Sequence, residues 1–469
     1  MIQKAADLLL LTRRELLALV LVFAASLPAV TPRLYSSDEV QYFSYLRSLW
    51  FDRDVSFENE YQYFFERGIA QTPGYHETFL ERTTPAGRRI NFGTVGSAIL
   101  WAPFYGVADL LVRVLRLSGR DTPADGFSHP YVAAVAYGSA FYGFVAVLLG
   151  IGAARRILGG RSLVPGLAVW AGTPLLFYMY LAPPYAHACS AFAVAVVITV
   201  WLHVRRTWSP LGAVSLGLAG ALAAMVREQD VFILAGPALD FVLVAARRLR
   251  EGGAAVWPAA AAGLVAFGAG MAPQLLAYQA LNGRPGPSGY VTRKMLWHSP
   301  HGIDVLFSSA HGFFFWTPLA LVALAGLAIV AGSRRRSPDT RRILTCLLVM
   351  AAAQVYVSGA VDSWTVSGAF GQRRFVALTA PLIVGLHAIW SMAGRRRARA
   401  VLAIAIALGV WWNLALMALF GTRMMDRSRI EVRRNAYDAF VTLPRMAPEL
   451  AWRYVTVRES FYEPRPRSR

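Results

Sequence analysis

Long apolar runs separated by short polar stretches recur along almost the whole chain. Runs such as 16–30, 132–151 and 401–420 approach or exceed the roughly 18 apolar residues that a helix needs to cross a bilayer. No stretch is left that could form a soluble domain of useful size. The pattern therefore predicts an all-α polytopic membrane protein.

Short arginine clusters lie between the apolar runs and orient the predicted spans. They occur at 13–14, 155–161, 205–206, 247–250, 334–342 and 395–399. Arginine and lysine prefer cytoplasmic loops, and all these clusters can be cytoplasmic together if the chain crosses about eleven times. The predicted spans are 15–34, 131–153, 163–181, 185–204, 210–226, 231–248, 255–281, 312–332, 343–361, 374–393 and 400–420. This map places the N-terminus in the cytoplasm and the C-terminus outside.

The apolar segment 93–116 is an exception, because it is long enough to cross but would move every later arginine cluster to the outer face. We expect a tilted, re-entrant or surface-lying helix within the first extracytoplasmic loop, 35–130, and the sequence leaves open whether it crosses. The predicted organisation is a transmembrane domain at 1–420, which includes this loop, and a basic extracytoplasmic tail at 421–469. The tail is expected to lie on anionic membrane lipids.

Composition agrees with the hydropathy pattern. Hydrophobic residues make up 56% of the 469 residues and charged residues 16%, against about 25% charged in soluble proteins. The formal charge of +20 comes from arginines between apolar runs, which indicates topology and not nucleic-acid binding. Cys189 and Cys346 suggest neither a disulfide framework nor a zinc site. The chain contains no phosphate-binding Walker motif and no zinc-protease motif.

The first outer loop opens with two adjacent acids in SSDEVQYFSYLRSLW, residues 36–50. Ser36 and Glu39 fit a capping box, and Asp38 lies in the first helical turn, where negative charge suits the helix dipole. Helix initiation alone would explain both acids. A carboxylate at a helix N-terminus also stays ionised, so it can accept a proton or hold a divalent cation.

This opening resembles the GT-C superfamily of membrane glycosyltransferases, and within it family 39, the protein O-mannosyltransferases and aminoarabinose transferases. The run DEVQYFSYLRSLW is similar to their D-E-x-x-Y start, with Arg47 at the place of a recurrent arginine. The resemblance implies a GT-C-like bundle, an odd number of spans and an extracytoplasmic C-terminus. The chain departs from the family pattern in INFGTVGSAILWAPFY, where a Pro-Pro-Leu element is expected, and at His187, where many members carry an acid.

Other polar residues at the predicted outer edge are candidates for phosphate contact. Arg373 and Arg374 lie outside against the inside preference, and guanidinium groups match phosphate oxygens. Arg227, in the run VREQD, marks either a plain turn or a phosphate contact. Lys294 either pairs with phosphate or flanks the membrane. His298, His301 and His311 with Asp304 fit either a metal site or an interfacial belt.

The sequence and the resemblance together predict a glycosyltransferase that moves a sugar from a polyprenyl-phosphate donor to a hydroxyl acceptor with inversion. The acceptor would be a cell-envelope glycan, lipid or protein at the extracytoplasmic face of a bacterial inner membrane. Asp38 is expected to be the catalytic base, and no nucleotide is expected. The expected substrate-binding residues are Glu39, Tyr42, His187, Arg227, Lys294, His311, Gln372, Arg373 and Arg374. A divalent cation, if required, would have Glu39 or His187 as ligands.

A non-enzymatic flippase or transporter of lipid-linked sugars is the alternative, and it predicts charged residues along a mid-membrane path. The sequence tells neither the sugar nor the acceptor, and neither metal dependence nor oligomeric state.

Overall fold

The computed structural model describes residues 9–69, 74–251, 256–366 and 368–461. The outermost parts of the two predicted domains, 1–8 and 462–469, lie outside these residues. The described chain is helical and contains no strand, only isolated β-bridges that pair Thr83 with Arg89 and Met295 with Val361. The predicted all-α architecture is confirmed.

The helices that precede and form the first outer loop are α1 (Arg13–Ser26), α2 (Ser37–Arg47), α3 (Glu58–Glu66) and α4 (Gly96–Leu117). The chain then continues through α5 (His129–Leu158), α6 (Leu163–Ala171), α7 (Leu175–Tyr180), α8 (His187–Val204), α9 (Pro210–Val226), α10 (Ala235–Arg250), α11 (Trp257–Gly270) and α12 (Ala272–Asn282). The remaining helices are α13 (Gly289–Arg293), α14 (Gly302–Phe307), α15 (Phe313–Trp316), α16 (Pro318–Gly332), α17 (Pro338–Gly359), α18 (Thr379–Met392), α19 (Arg396–Gly421), α20 (Val432–Tyr437) and α21 (Leu443–Thr456).

Turns of 3₁₀-helix at Leu27–Ala29, Glu228–Leu234, Arg373–Leu378 and Arg458–Phe461 connect or extend these helices. Turns of π-helix occur at Ser48–Asp52, His76–Glu81 and Asp438–Thr442.

Seven helices among the described residues are long and apolar enough to cross a membrane, or eight if the bent pair α11 and α12 is one span. The protein is therefore a multi-pass membrane protein. Each of the eleven predicted spans overlaps a helix or a broken helix, but the number eleven is not confirmed. The shortfall arises at four predicted spans: α1 has only 14 residues, α9 only 17 and α16 only 15, and the span 163–181 is divided between α6 and α7. The three undivided helices rise about 21–26 Å, less than the roughly 30 Å thickness of a hydrocarbon core.

Several of the basic clusters meet at one end of the bundle. Arg155, at the end of α5, donates to Glu15 of α1 over 2.8 Å. Arg205, at the end of α8, pairs with Asp240 of α10 at 2.9 Å and with Asp339 of α17 at 2.8 Å. These ion pairs bring together helix ends that the arginine map predicts to be cytoplasmic.

Helix α4, the ambiguous apolar segment, runs antiparallel to the first half of α5. Tyr131, near the start of α5, donates to Asp109, while Trp101 donates to Ser139. The start of α4 packs so closely on the end of α9 that a Cβ at Gly96 would lie 2.3 Å from the carbonyl carbon of Met225. Both ends of α4 therefore lie on the side of the first loop. This placement favours the interpretation that α4 does not cross, although its length alone would allow a crossing.

The tail returns to the start of the first loop. Arg458 donates to the carbonyl oxygens of Pro28 and Ala29 and to the hydroxyl of Thr31, at 2.6–2.9 Å. The tail and the first loop therefore lie at the same end of the bundle, which is what an odd number of crossings requires.

Cysteine labelling tests this topology, because both native cysteines are buried. Arg120, Arg161 and Arg434 are exposed positions in the first loop, the α5–α6 connection and the tail. In intact cells, a membrane-impermeant maleimide is expected to label Arg120→Cys and Arg434→Cys, and to label Arg161→Cys only after permeabilisation. Labelling of Arg161→Cys in intact cells would reverse the map.

Candidate functional site

A cavity of about 450 Å³ opens where the start of α2, the α9–α10 junction, the segment 287–297 and the 3₁₀ turn Arg373–Leu378 before α18 meet. It brings together seven of the predicted site residues: Asp38, Tyr42, His187, Arg227, Lys294, Arg373 and Arg374. Four basic and two acidic side chains line it, the second acid being Glu228. With histidine neutral, its net formal charge is +2, which suits an anionic ligand.

The centre of the cavity is an ion pair between Asp38 and Arg373. The Asp38 Oδ2 and a terminal guanidinium nitrogen of Arg373 are 2.6 Å apart, and both side chains are partly exposed. The guanidinium also lies over the Tyr185 ring, 5.3 Å from its centroid. Residues from the first outer loop and from the 3₁₀ turn before α18 are thus joined in one site.

The capping box explains why Asp38 faces the cavity while its neighbour does not. Glu39 Oε2 accepts hydrogen bonds from the backbone nitrogens of Tyr35 and Ser36, at 2.6 and 2.9 Å. The Ser36 hydroxyl accepts in return from the Glu39 nitrogen. Glu39 is fully buried and does not line the cavity. In this structure one oxygen of Glu39 is used by the helix cap and the side chain does not reach the cavity, so its contact with substrate or a metal stays a prediction.

Arg227 and His187 form a second contact in the cavity. A guanidinium nitrogen of Arg227 lies 2.8 Å from His187 Nδ1. An arginine can only donate, so Nδ1 is the acceptor. The imidazole stacks on Tyr185 at a ring-centroid distance of 5.5 Å. Asp230 accepts from Ser190 over 2.5 Å, which fixes the α9–α10 junction against α8.

These contacts are not compatible with metal binding by the predicted ligands Glu39 and His187. Nδ1 of His187 accepts a hydrogen bond from Arg227, and Oε2 of Glu39 accepts hydrogen bonds in the helix cap. Across the ranges that the structure describes, no group of three or more metal-ligating side chains occurs. His301 instead faces Asp304 at 3.2 Å on an exposed turn. The predicted donor set therefore does not fit a divalent cation.

Arg374 and Lys294 have no acidic partner within the described part of the chain. Arg374 donates to the carbonyl oxygen of Ser363 at 3.2 Å, and Lys294 lies 5.9 Å from the Phe92 ring centroid. Arg374 is partly enclosed, and an enclosed cation without a counter-charge is costly, so its presence at the cavity indicates an anionic ligand; Lys294 is exposed at the edge of the same cavity.

His311 and Gln372, two further predicted contacts, do not line the cavity. Both are fully buried. His311 Nε2 lies 2.9 Å from the Ala369 carbonyl oxygen, and Gln372 donates to the carbonyl oxygens of His311 and Trp364. They brace the loop that precedes Arg373. These backbone carbonyls hold both side chains away from the cavity, and their contact with substrate stays a prediction.

The sequence interpretation missed several polar lining residues, among them Glu228 and Tyr185. Glu228 follows Arg227 directly in VREQD, so the motif itself could have indicated it. Tyr185 lies two residues before His187 and carried no separate signal. The rest of the lining is more apolar and includes Phe232, Met295, Trp297, Val357 and Val361.

No known protein family matches the sequence, and no curated protein is similar enough in sequence to count as a relative. Among solved structures, the chain is similar to ArnT from Cupriavidus metallidurans bound to undecaprenyl phosphate. The TM-score is 0.50 with 15% sequence identity, and the alignment covers 87% of this chain and 72% of that one. The fold is of the GT-C type. The resemblance inferred from DEVQYFSYLRSLW is thereby confirmed at the level of the fold.

Burial gives the first loop a pH-dependent stability. It raises the pKa of Glu39 to about 7 and that of Glu60 to about 7, against an ordinary value of 4.5. Between these values the folded state holds protons that the unfolded state releases, so the contribution of both groups to stability falls as pH rises from about 4.5 through 7. Through these two groups the melting temperature is expected to be lower at pH 7.5 than at pH 5.

In Glu39→Gln the difference in melting temperature between pH 5 and pH 7.5 is expected to shrink by a few degrees. Glutamine keeps an oxygen for the cap but does not titrate. An unchanged difference, measured by thermal unfolding in the same detergent, would contradict the assignment to Glu39.

Proposed function

We propose that the protein is a glycosyltransferase that moves a sugar from a polyprenyl-phosphate carrier to a hydroxyl acceptor. The active face is the extracytoplasmic side of a bacterial inner membrane, and the acceptor belongs to the cell envelope. The observation that carries the proposal is the Asp38–Arg373 ion pair inside a cavity that holds three further cations.

The cavity offers one region to a phosphate and another to a lipid chain. Arg227, Arg373 and Arg374 line the same space, and guanidinium forks match phosphate oxygens. Phe232 and Trp297, 5.9 Å apart by ring centroids, belong to the apolar lining. A lipid phosphate combines these two chemistries, and ArnT was solved with such a molecule bound.

In the proposed reaction, Asp38 accepts the proton of the acceptor hydroxyl while that oxygen attacks the anomeric carbon. The bond from the anomeric carbon to the phosphate oxygen breaks, and its electron pair stays on the polyprenyl phosphate. Arg373 and Arg374, with Arg227, stabilise the charge that develops there. Attack opposite the leaving phosphate inverts the configuration at the anomeric carbon. Because the predicted metal ligands do not fit, no step is assigned to a metal.

Asp38→Asn tests the role of the base. With purified protein in detergent and radiolabelled polyprenyl-phosphate sugars, transfer or donor hydrolysis is expected to fall by at least about 100-fold, the scale of general-base catalysis. Asp121→Asn, an exposed acid in the same loop but outside the cavity, is the matched control and should keep wild-type activity.

Equal activity of wild type and Asp38→Asn would reduce Asp38 to a helix-capping residue. If wild type instead moves lipid-linked sugars across proteoliposomes without transferring or hydrolysing them, a flippase is the correct function.

The ion pair also predicts the effect of Asp38 on phosphate binding. The carboxylate competes with a phosphate for Arg373 and repels it, so Asp38→Asn is expected to bind undecaprenyl phosphate about threefold or more tightly than wild type. The dissociation constants are compared by equilibrium binding with labelled undecaprenyl phosphate. Weaker binding by Asp38→Asn, with Asp121→Asn unchanged, would mean that the phosphate does not engage Arg373.

A further inference from the structure

The cavity contains a second carboxylate, Glu228, to which the proposed reaction gives no role. Its Oε1 accepts a hydrogen bond from the Tyr278 hydroxyl of α12. Among the described residues it forms no ion pair, although four basic side chains line the same cavity. This acid is half-buried and next in sequence to Arg227.

The backbone explains why these neighbours do not neutralise each other. At Arg227 the chain leaves α9 in an extended conformation, with φ −152° and ψ 122°, before the 3₁₀ turn Glu228–Leu234 begins. Arg227 then contacts His187 and Gln229, whereas Glu228 contacts Tyr278. Two opposite charges are thus held apart by different partners, and each remains available to a ligand.

A carboxylate can accept about four hydrogen bonds, and a single phenol leaves most of this capacity unused. Because Glu228 lines the cavity, the lone pairs that Tyr278 leaves free are available to a ligand there. A phosphate cannot be the partner, because it is also an anion. A ligand group that binds Glu228 must therefore carry hydroxyl or amino hydrogens.

We propose that Glu228, held by Tyr278, accepts hydrogen bonds from hydroxyl or amino groups of the sugar on the lipid phosphate and so selects the sugar. This inference rests on the proposed function. The sugar is favoured over the acceptor because it is bonded directly to the phosphate. A carboxylate beside Arg227, which belongs to the phosphate-binding group, is within reach of that sugar ring.

Binding separates sugar recognition from phosphate recognition. The probes are undecaprenyl phosphate alone and undecaprenyl phosphates that carry a neutral hexose, an N-acetylhexosamine or an aminopentose. Wild type is expected to bind at least one glycoside about tenfold more tightly than undecaprenyl phosphate, a preference on the scale of hydrogen bonds to a charged group.

In Glu228→Gln this preference should fall to about twofold or less, while binding of undecaprenyl phosphate stays unchanged or becomes tighter. Tyr278→Phe keeps the carboxylate but removes its anchor, so it should lose part of the preference. Arg374→Gln is the matched control, and it should weaken binding of both kinds of ligand equally. Thermal unfolding of each variant checks that it is folded.

The inference is overturned if folded Glu228→Gln keeps the wild-type preference, or if wild type prefers no glycoside over undecaprenyl phosphate. In both cases binding of undecaprenyl phosphate itself leaves the proposed function intact. If wild type binds neither undecaprenyl phosphate nor any glycoside, the proposed function fails together with the inference.

Discussion

The site depends on one contact, the ion pair between Asp38 and Arg373, which come from nearly opposite ends of the chain. Each partner is fixed by buried hydrogen bonds that take no part in the cavity. On one side, Glu39 closes the capping box and so orients the first turn of α2. On the other side, Gln372, which directly precedes Arg373, donates hydrogen bonds to the carbonyl oxygens of His311 and Trp364. The geometry between base and phosphate ligand is therefore set by residues that need never touch a substrate.

The two ends of the bundle use arginine in different ways. At the end away from the cavity, Arg155, Arg205 and Arg342 are tied to Glu15, Asp240 and Asp339. Around the cavity, Arg227, Arg374 and Lys294 have no acidic partner among the described residues. Arg373 is paired with Asp38, the predicted base. The ion pairs at the other end hold helices together, whereas the three cations without an acidic partner at the cavity are left for an anionic ligand.

Hydropathy and arginine spacing were sufficient to predict the helices, because burial in lipid imposes a strong and local sequence pattern. They could not give the number of crossings, since helices such as α1 and α16 are helical over fewer residues than their apolar runs. Within the site, Arg373 and Arg374 were predictable because they break the inside preference of arginine, and Asp38 because the helix start that carries it resembles a family motif. That Glu39, His311 and Gln372 lie outside the cavity was not predictable, because sequence proximity to a site does not tell which hydrogen bond a side chain makes. Glu228 was missed because its role depends on Tyr278, a residue distant in sequence on another helix.

Asp38 is paired with Arg373 while Arg374 stays unpaired, because the carboxylate requires a counter-charge when no ligand is bound. A partly enclosed carboxylate without a counter-charge is costly. Arg373 supplies the counter-charge when no ligand is bound. Under the proposed function, the arriving phosphate takes over Arg373 and leaves Asp38 facing the acceptor with its lone pairs free. Arg374 has no ion pair with an acid of the described chain, so it can bind the phosphate first. The ion pair between Asp38 and Arg373 then separates after this first contact has formed. The same two arginines that stabilise the leaving phosphate would then also ensure that the base is released only when a donor is present.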